Sequence, residues 1–232
     1  MVKSPGVPRE APVIEAARER GIDVVGELEL AWRTLPNAFV GVTGTNGKTT
    51  VAELLGHLWR EAVEPVSVAG NVGTPLSSLS GTVDPAATVI CEASSFQLED
   101  AVAFAPECAL LLNVDEDHID RHGDLRSYAE AKLRIFSHQV AEDVAIFDPE
   151  EPGLAGLEPG GEARRLTPEW AADLVDSVRL GLPGAHGRRN ALAAATAAAA
   201  MGIGEDSIRR GLASFRGLEH RLELVVEIEG VR

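Results

Sequence analysis

The sequence predicts an α/β fold, a P-loop-type, mostly parallel sheet with helices on both faces. Three observations predict it. Apolar runs of strand length recur along the chain, and segments with helical apolar spacing alternate with them. One glycine-rich loop, Thr43-Gly44-Thr45-Asn46-Gly47-Lys48-Thr49-Thr50, lies between such a run and such a helix. Strands that alternate with helices pair in parallel, and a parallel sheet is buried on both faces.

Residues 1–36 come first and differ in pattern from the rest of the chain. Ser4-Pro5-Gly6-Val7-Pro8 reads as a turn, residues 11–20 as a helix, 22–25 as a short strand and 27–33 as a second short helix. One helix–strand unit is too small to bury a core. It is therefore expected to end a preceding domain, which divides the chain into 1–26, a central unit 27–217, and 218–232 as the start of another unit. In the central unit, residues 38–42, 65–69, 87–91, 108–114 and 144–147 are the strand candidates. The helix from Lys48 places Val51, Leu54, Leu55, Leu58 and Ala62 on one face. Residues 148–185 are less regular. Residues 188–201 and 205–215 read as helices, the first packed through alanine, and 221–229 alternates like a strand. Two cysteines, Cys91 and Cys108, sit inside apolar runs and read as buried free thiols.

With 45% apolar residues, a core is well supplied, and 23 Gly with 13 Pro indicate many turns. Lys+Arg 21 against Asp+Glu 36 gives a net charge of −15, which argues against a nucleic-acid partner. It leaves nucleotides open, because backbone N–H groups, one lysine and a metal hold a phosphate locally. The N-terminal residues carry no apolar signal segment and no run has membrane-spanning length, so the reading is a soluble cytoplasmic protein with no membrane partner.

Four places carry chemistry. In the glycine-rich loop, backbone N–H groups can turn toward phosphates at a helix N-terminus, Lys48 adds a charge, and the Thr49 hydroxyl can ligate Mg²⁺. The general pattern wants glycine where Val42 stands, so the loop is a variant. Glu92 follows a strand candidate, where ligands of open sheets collect, and reads as a magnesium carboxylate or a solvated strand end. Asp115-Glu116-Asp117-His118-Ile119-Asp120 follows another strand, and suits a second metal or an acidic surface turn. Lys132 shares its helix face with Leu125, Tyr128, Ala129, Leu133 and Phe136. It reads as a lysine that snorkels or pairs with a carboxylate, or as a functional lysine whose pKa burial or nearby cations lower.

Together these residues resemble the Mur ligase family. The loop at 43–50 is similar to the family's P-loop, and Asn71-Val72-Gly73-Thr74-Pro75 to its Gly-Asn-x-Gly-x-Pro segment. Glu92-Ala93-Ser94-Ser95-Phe96-Gln97-Leu98 resembles the sequence typical of the D-glutamate-adding branch. Asn113-Val114, Asp117-His118-Ile119-Asp120-Arg121-His122, the stretch from Tyr128 to Lys132-Leu133-Arg134, and Phe215-Arg216-Gly217-Leu218 with His220-Arg221 fit as well, in family order.

The resemblance implies an ATP-dependent ligase that joins D-glutamate to UDP-N-acetylmuramoyl-L-alanine through an acyl phosphate. Gly44, Thr45, Asn46, Gly47, Lys48, Thr49 and Thr50 would bind ATP, joined by Asn190 and Arg221, with Lys48 on the β- and γ-phosphates. Thr49 with Glu92 would hold one Mg²⁺. His118 and Lys132 would hold a second, with Lys132 carbamylated by CO₂. Lys48, His118 and Lys132 are thus the catalytic candidates. Asn71, Ser94 and Gln97 would line the muramoyl-peptide site, and Gly6 the uridine nucleotide. His186-Gly187-Arg188-Arg189-Asn190 departs from the family's His-Asn-x-x-Asn, and Gly187 removes an amide contact. The family's Asp-Ser-Lys segment has no counterpart here, which together with the N-terminal pattern implies incomplete flanking domains. A nucleotide-binding core without ligase activity and a folylpolyglutamate-type ligase are the alternatives. Phe96-Gln97-Leu98 and Asp120-Arg121-His122 favour the D-glutamate branch over the latter.

Overall fold

The computed structural model describes residues 1–217. Six parallel strands form its main sheet: β3 (Phe39–Thr43), β4 (Val66–Gly70), β5 (Thr88–Glu92), β6 (Cys108–Leu111), β7 (Val144–Phe147) and β8 (Arg164–Leu166), in the order β4-β5-β3-β6-β7-β8. The parallel α/β sheet predicted from alternation is therefore observed. The chain leaves the central β3 toward β4 and β5 on one side, then crosses to β6, β7 and β8 on the other. Loops from the two halves separate at the carboxyl end of β3, where open sheets bind ligands.

Strand residues alternate between two cores. On one face Val40, Val42, Ile90, Leu110 and Ile146 meet α3 (Lys48–Glu61), α7 (Ala172–Asp176), α8 (Gly184–Ala200) and α9 (Glu205–Ser214). On the other, Phe39, Val89, Cys91, Ala109 and Phe147 meet α2 (Glu27–Thr34), α4 (Ser95–Glu99) and α6 (Leu125–Leu133). Helix α8 is built on buried alanines, which let it lie close to the sheet and to α3. Cys91 and Cys108 are buried free thiols, as expected, and burial pushes both well above the ordinary thiol range. Among the described residues, no helix is long and apolar enough to cross a membrane.

Several expectations shift. The strand expected at 22–25 is the two-residue β2 (Val25–Gly26), paired in parallel with an unexpected β1 (Val2–Lys3). These two form a separate small sheet, and α1 (Pro12–Glu19) connects them. The run at 108–114 is a strand only to Leu111, because Asn113 turns to meet the glycine-rich loop. Glu92 is the last residue of β5 rather than the one after it. The less regular stretch 148–185 contains β8 and α7. The strand expected at 221–229 lies outside the described residues.

One buried acid joins the layers. Glu29 of α2 is fully buried and accepts hydrogen bonds from the N–H groups of Val102 (3.0 Å), Ala103 (3.1 Å) and Phe104 (3.0 Å), and from Arg33 (2.7 Å). Burial alone would raise its pKa. The N–H groups of Ala103 and Val102 and the Arg33 guanidinium outweigh that and hold it below its ordinary 4.5. We expect Glu29→Gln to cost about 1–3 kcal/mol of stability, because one oxygen's charge-assisted partners are lost inside the core. Ionised Glu29 stabilises fully above pH 4.5, and that contribution is lost as pH falls through its lower folded pKa. Urea unfolding of both forms at pH 7 and pH 3 measures this. A gap that stays constant between the two pH values would refute the electrostatic account.

Candidate active site

The site begins where β3 ends. Gly47 is the N-cap of α3 with φ +87°, a conformation that suits glycine. A Cβ there would also lie 2.7 Å from Oδ1 of Asn190, which reaches across from α8. No side chain caps α3, and no acid stands in its first turn. The positive end of a 14-residue helix, with half-buried Thr49 and Thr50 beside Lys48, therefore opens toward the cleft.

The loop is fastened to the segment after β6. Thr45 N–H donates to Asn113 O (3.0 Å), Asn46 N–H to Asn113 Oδ1 (2.8 Å), and Asn113 Nδ2 returns to Asn46 O (3.0 Å). Asn46 Nδ2 donates to Asp115 Oδ2 (3.1 Å), and Asp115 N–H to Thr45 Oγ1 (3.0 Å). Asp115 is thereby occupied in bracing the loop. This corrects one expectation: the acids at 115–117 do not gather with His118 as one ligand set, and no group of three His, Cys, Asp or Glu placed to hold a metal occurs among the described residues.

Two lysines meet at one oxygen. Lys48 Nζ donates to Gly44 O (3.0 Å) and Thr45 O (2.9 Å), and Lys132 Nζ donates to the same Gly44 O at 2.7 Å. Lys132 is 1% exposed and faces inward on α6, as its helical position predicted. Its ammonium also lies 4.3 Å from the centre of the Tyr128 ring. Burial first, then the Lys48 charge, pulls its pKa down to about 7 against the opposing pull of Asp117. Neither the snorkelling nor the carboxylate-paired alternative describes this lysine.

Opposite them, Glu92 is buried at the carboxyl end of β5 and accepts from Asn71 Nδ2 (3.2 Å). Asn71 N–H donates to Glu92 O (2.8 Å). The approach is close because Gly70 has φ +129°; a Cβ there would collide with the Glu92 backbone. Asn71 and Glu92 are thus one unit. Ser94 and Gln97 form a capping box at the start of α4, Gln97 N–H to Ser94 Oγ (3.3 Å) and Ser94 N–H to Gln97 Oε1 (3.0 Å), an arrangement not read from the sequence.

His118 has φ +50° and is half-exposed, with Nε2 3.5 Å from Asp117 Oδ2. It is the N-cap of the short α5 (Ile119–His122). Its ring lies 5.0 Å from Phe96 and 6.3 Å from Tyr128, so His118 and Lys132 border the same tyrosine. The His122 side chain is buried, and desolvation lowers its pKa, with Glu99 opposing. Gly6 sits in an open turn closed by Val7 N–H to Ser4 O (3.0 Å), with open space where a side chain would stand. Arg221 lies outside the described residues. Gly187 is buried against Leu182, and a Cβ there would lie 2.8 Å from Leu182 Cβ and 2.9 Å from its carbonyl carbon. Packing, rather than the nucleotide, dictates glycine at this position.

An open helix N-terminus, a glycine with no room for a side chain, two converging ammonium groups and a buried carboxylate fit a polyphosphate with a divalent cation. Residues 42–157 of the 232 match the family described as the Mur ligase middle domain. The chain is 40% identical over 254 aligned residues to a UDP-N-acetylmuramoylalanine–D-glutamate ligase of Pelotomaculum thermopropionicum, covering 100% of this chain and 56% of the relative. It is 41% identical to the enzyme of that name from Anaeromyxobacter dehalogenans, again covering 100% and 56%. The chain thus spans little more than half the length of these relatives. Among solved structures, the UDP-N-acetylmuramate:L-alanyl-gamma-D-glutamyl-meso-diaminopimelate ligase from Neisseria meningitides superposes with a TM-score of 0.69 at 21% identity, covering 94% of this chain and 79% of that one. The fold and a family match over half of its residues together place this chain in the Mur ligase family.

Proposed function

We propose that this chain is the ATP-binding and catalytic core of a cytoplasmic ligase that adds D-glutamate to UDP-N-acetylmuramoyl-L-alanine. The observation that carries this reading is the meeting of Lys48 and Lys132 at the Gly44 carbonyl, beside the Asn71–Glu92 pair. The names of relatives 34–41% identical to this chain support the choice of substrates.

In the proposed reaction, a carboxylate oxygen of the muramoyl-alanine attacks the γ-phosphorus of ATP, and ADP leaves. The amine of D-glutamate then attacks the acyl phosphate, loses a proton, and inorganic phosphate departs. Lys48 and the first-turn amides of α3 hold the β- and γ-phosphates, while Asn190 and Arg221 contact the rest of the nucleotide. Thr49 with Glu92 would hold one magnesium ion, and His118 with Lys132 a second; when bound, these ions neutralise charge on the phosphoryl oxygens. Asn71, Ser94 and Gln97 orient the muramoyl peptide, and Gly6 meets the uridine nucleotide.

Lys132 serves this role as a carbamate. A neutral amine attacks CO₂, forms an N–C bond and releases one proton, which leaves an anionic oxygen ligand. Burial first, then the Lys48 charge, pulls the Lys132 pKa down to about 7, which favours the neutral amine that carbamylation requires.

Three outcomes test the reading. Lys48→Ala should lower ATP affinity at least tenfold without lowering the melting temperature, as read by calorimetry; unchanged affinity would remove the P-loop assignment. With ¹³C-bicarbonate, the protein should show one carbamate resonance that grows as pH rises from 6 to 8 and is missing from Lys132→Ala. A resonance that persists in the variant would reassign the carbamate. Restoring the family asparagine by Gly187→Asn should destabilise the chain by about 1–3 kcal/mol through overpacking, with no gain in ATP affinity. Tighter binding in a thermally unchanged variant would overturn the packing explanation.

A further inference from the structure

The His118 backbone requires support. Outside glycine, the left-handed conformation costs roughly 1–2 kcal/mol, and it persists only where the surroundings enforce it. His118 O accepts from the N–H groups of Arg121 (3.0 Å) and His122 (3.1 Å), so its conformation is tied to α5. Four residues are far too few for a helix to sustain itself. The residues just before it, 115–117, are exposed, and Gly123 ends it with φ +85°.

The anchor lies at the far end of α5. The His122 side chain is 1% exposed, with Nδ1 3.2 Å from Glu99 Oε1 and Nε2 3.0 Å from Ser95 Oγ. Both partners belong to α4, one at each end, so the imidazole spans the helix like a crossbar. Its ring lies parallel to Phe96, centroids 5.4 Å apart at 5°, and Phe96 meets the His118 ring at 5.0 Å. The same α4 terminus is held from the other side, where Arg9 donates to Glu99 O and the Lys3 ammonium pairs with Asp100 at 2.5 Å. The frame that receives His122 is therefore itself fixed.

We propose that His122 is a positioning residue, whose Glu99–His122–Ser95 chain clamps α5 onto α4 and so holds the His118 imidazole against Tyr128, beside Lys132. It rests on the proposed role of His118 as a metal ligand. His122 acts through its hydrogen bond with Ser95, the close approach of Nδ1 to the Glu99 carboxylate and its stack on Phe96. It does not touch substrate. Changing a residue that orients a metal ligand typically weakens metal affinity by about 10–100-fold.

The test is Mn²⁺ binding to this chain with ATP and bicarbonate present, followed by electron paramagnetic resonance, with thermal melting as a control on folding. The wild type should bind two ions. His122→Phe keeps an aromatic stack but loses the Ser95 hydrogen bond and the Glu99 contact. It should bind the first ion within twofold of wild type and the second about tenfold more weakly. His122→Gln, which can donate to Glu99 and accept from Ser95, should recover most of that loss. Ser95→Ala cuts one link only and gives a smaller loss, and it serves as the readout if His122→Phe does not fold. Equal second-ion affinity in His122→Phe and wild type overturns the inference, as does a loss shared equally by both ions. A wild type that binds one ion, or a His118→Ala variant that still binds two, overturns the ligand reading of His118 itself.

Discussion

A single carbonyl oxygen organises the site. Gly44 O accepts from two lysines that come from opposite sides of the cleft, one from the helix it precedes and one from α6, 88 residues further along the chain. Two ammonium groups sharing an acceptor repel each other, and in a buried setting that repulsion is poorly screened. The pair stays together because the alternatives are worse. Lys48 is held by the Gly44 and Thr45 carbonyls of the loop before its own helix, and Lys132 is buried on α6 beside the Tyr128 ring. The protein relieves the conflict by lowering the pKa of the more buried partner. A chain with net charge −15 thus keeps a small, concentrated positive field at one point, suited to an anion of high charge density.

The sheet sets the level at which these groups meet. Because β3 is central and its neighbours arrive from opposite directions in sequence, the loops after β3, β5 and β6 end at one level. Val42 pairs in register with Glu92, and Glu92 with Gly70, so the glycine-rich loop, the buried carboxylate and Asn71 are set by the strand ladder rather than by loop conformation. The loop after β6 then needs only short hydrogen bonds from Asn113 and Asp115 to complete the frame.

Much of this was legible in the sequence because it rests on local rules. The P-loop is contiguous, the five longer strands are apolar, and Lys132 stands out as a charge on an apolar helix face. What escaped has physical reasons. Strand β8 is a short edge strand with Arg164 and Arg165 exposed, so it lacks an apolar signal. Strands β1 and β2 have two residues each, below any periodicity. The Ser94–Gln97 capping box was hidden inside a motif already read as substrate-binding, although a serine followed by glutamine three residues later is a known helix-start signal. Glu29 and the Glu99–His122–Ser95 chain join residues 73–75 and 23–27 positions apart, which no sequence spacing announces. The acids at 115–117 follow a strand's carboxyl end and so read as ligands or as an acidic surface turn; in the structure Asp115 braces the glycine-rich loop.

Gly187 bears on how the site could drift. Its missing side chain faces not only Leu182 Cβ but also the Leu182 backbone, so trimming residue 182 would leave the obstruction in place. A larger residue there requires the chain at Leu182, between α7 and α8, to shift. Alignment columns treat residue identity and insertions as separate events. At this corner of the molecule they are linked, because the path of the connection between α7 and α8 decides how large a residue position 187 accepts.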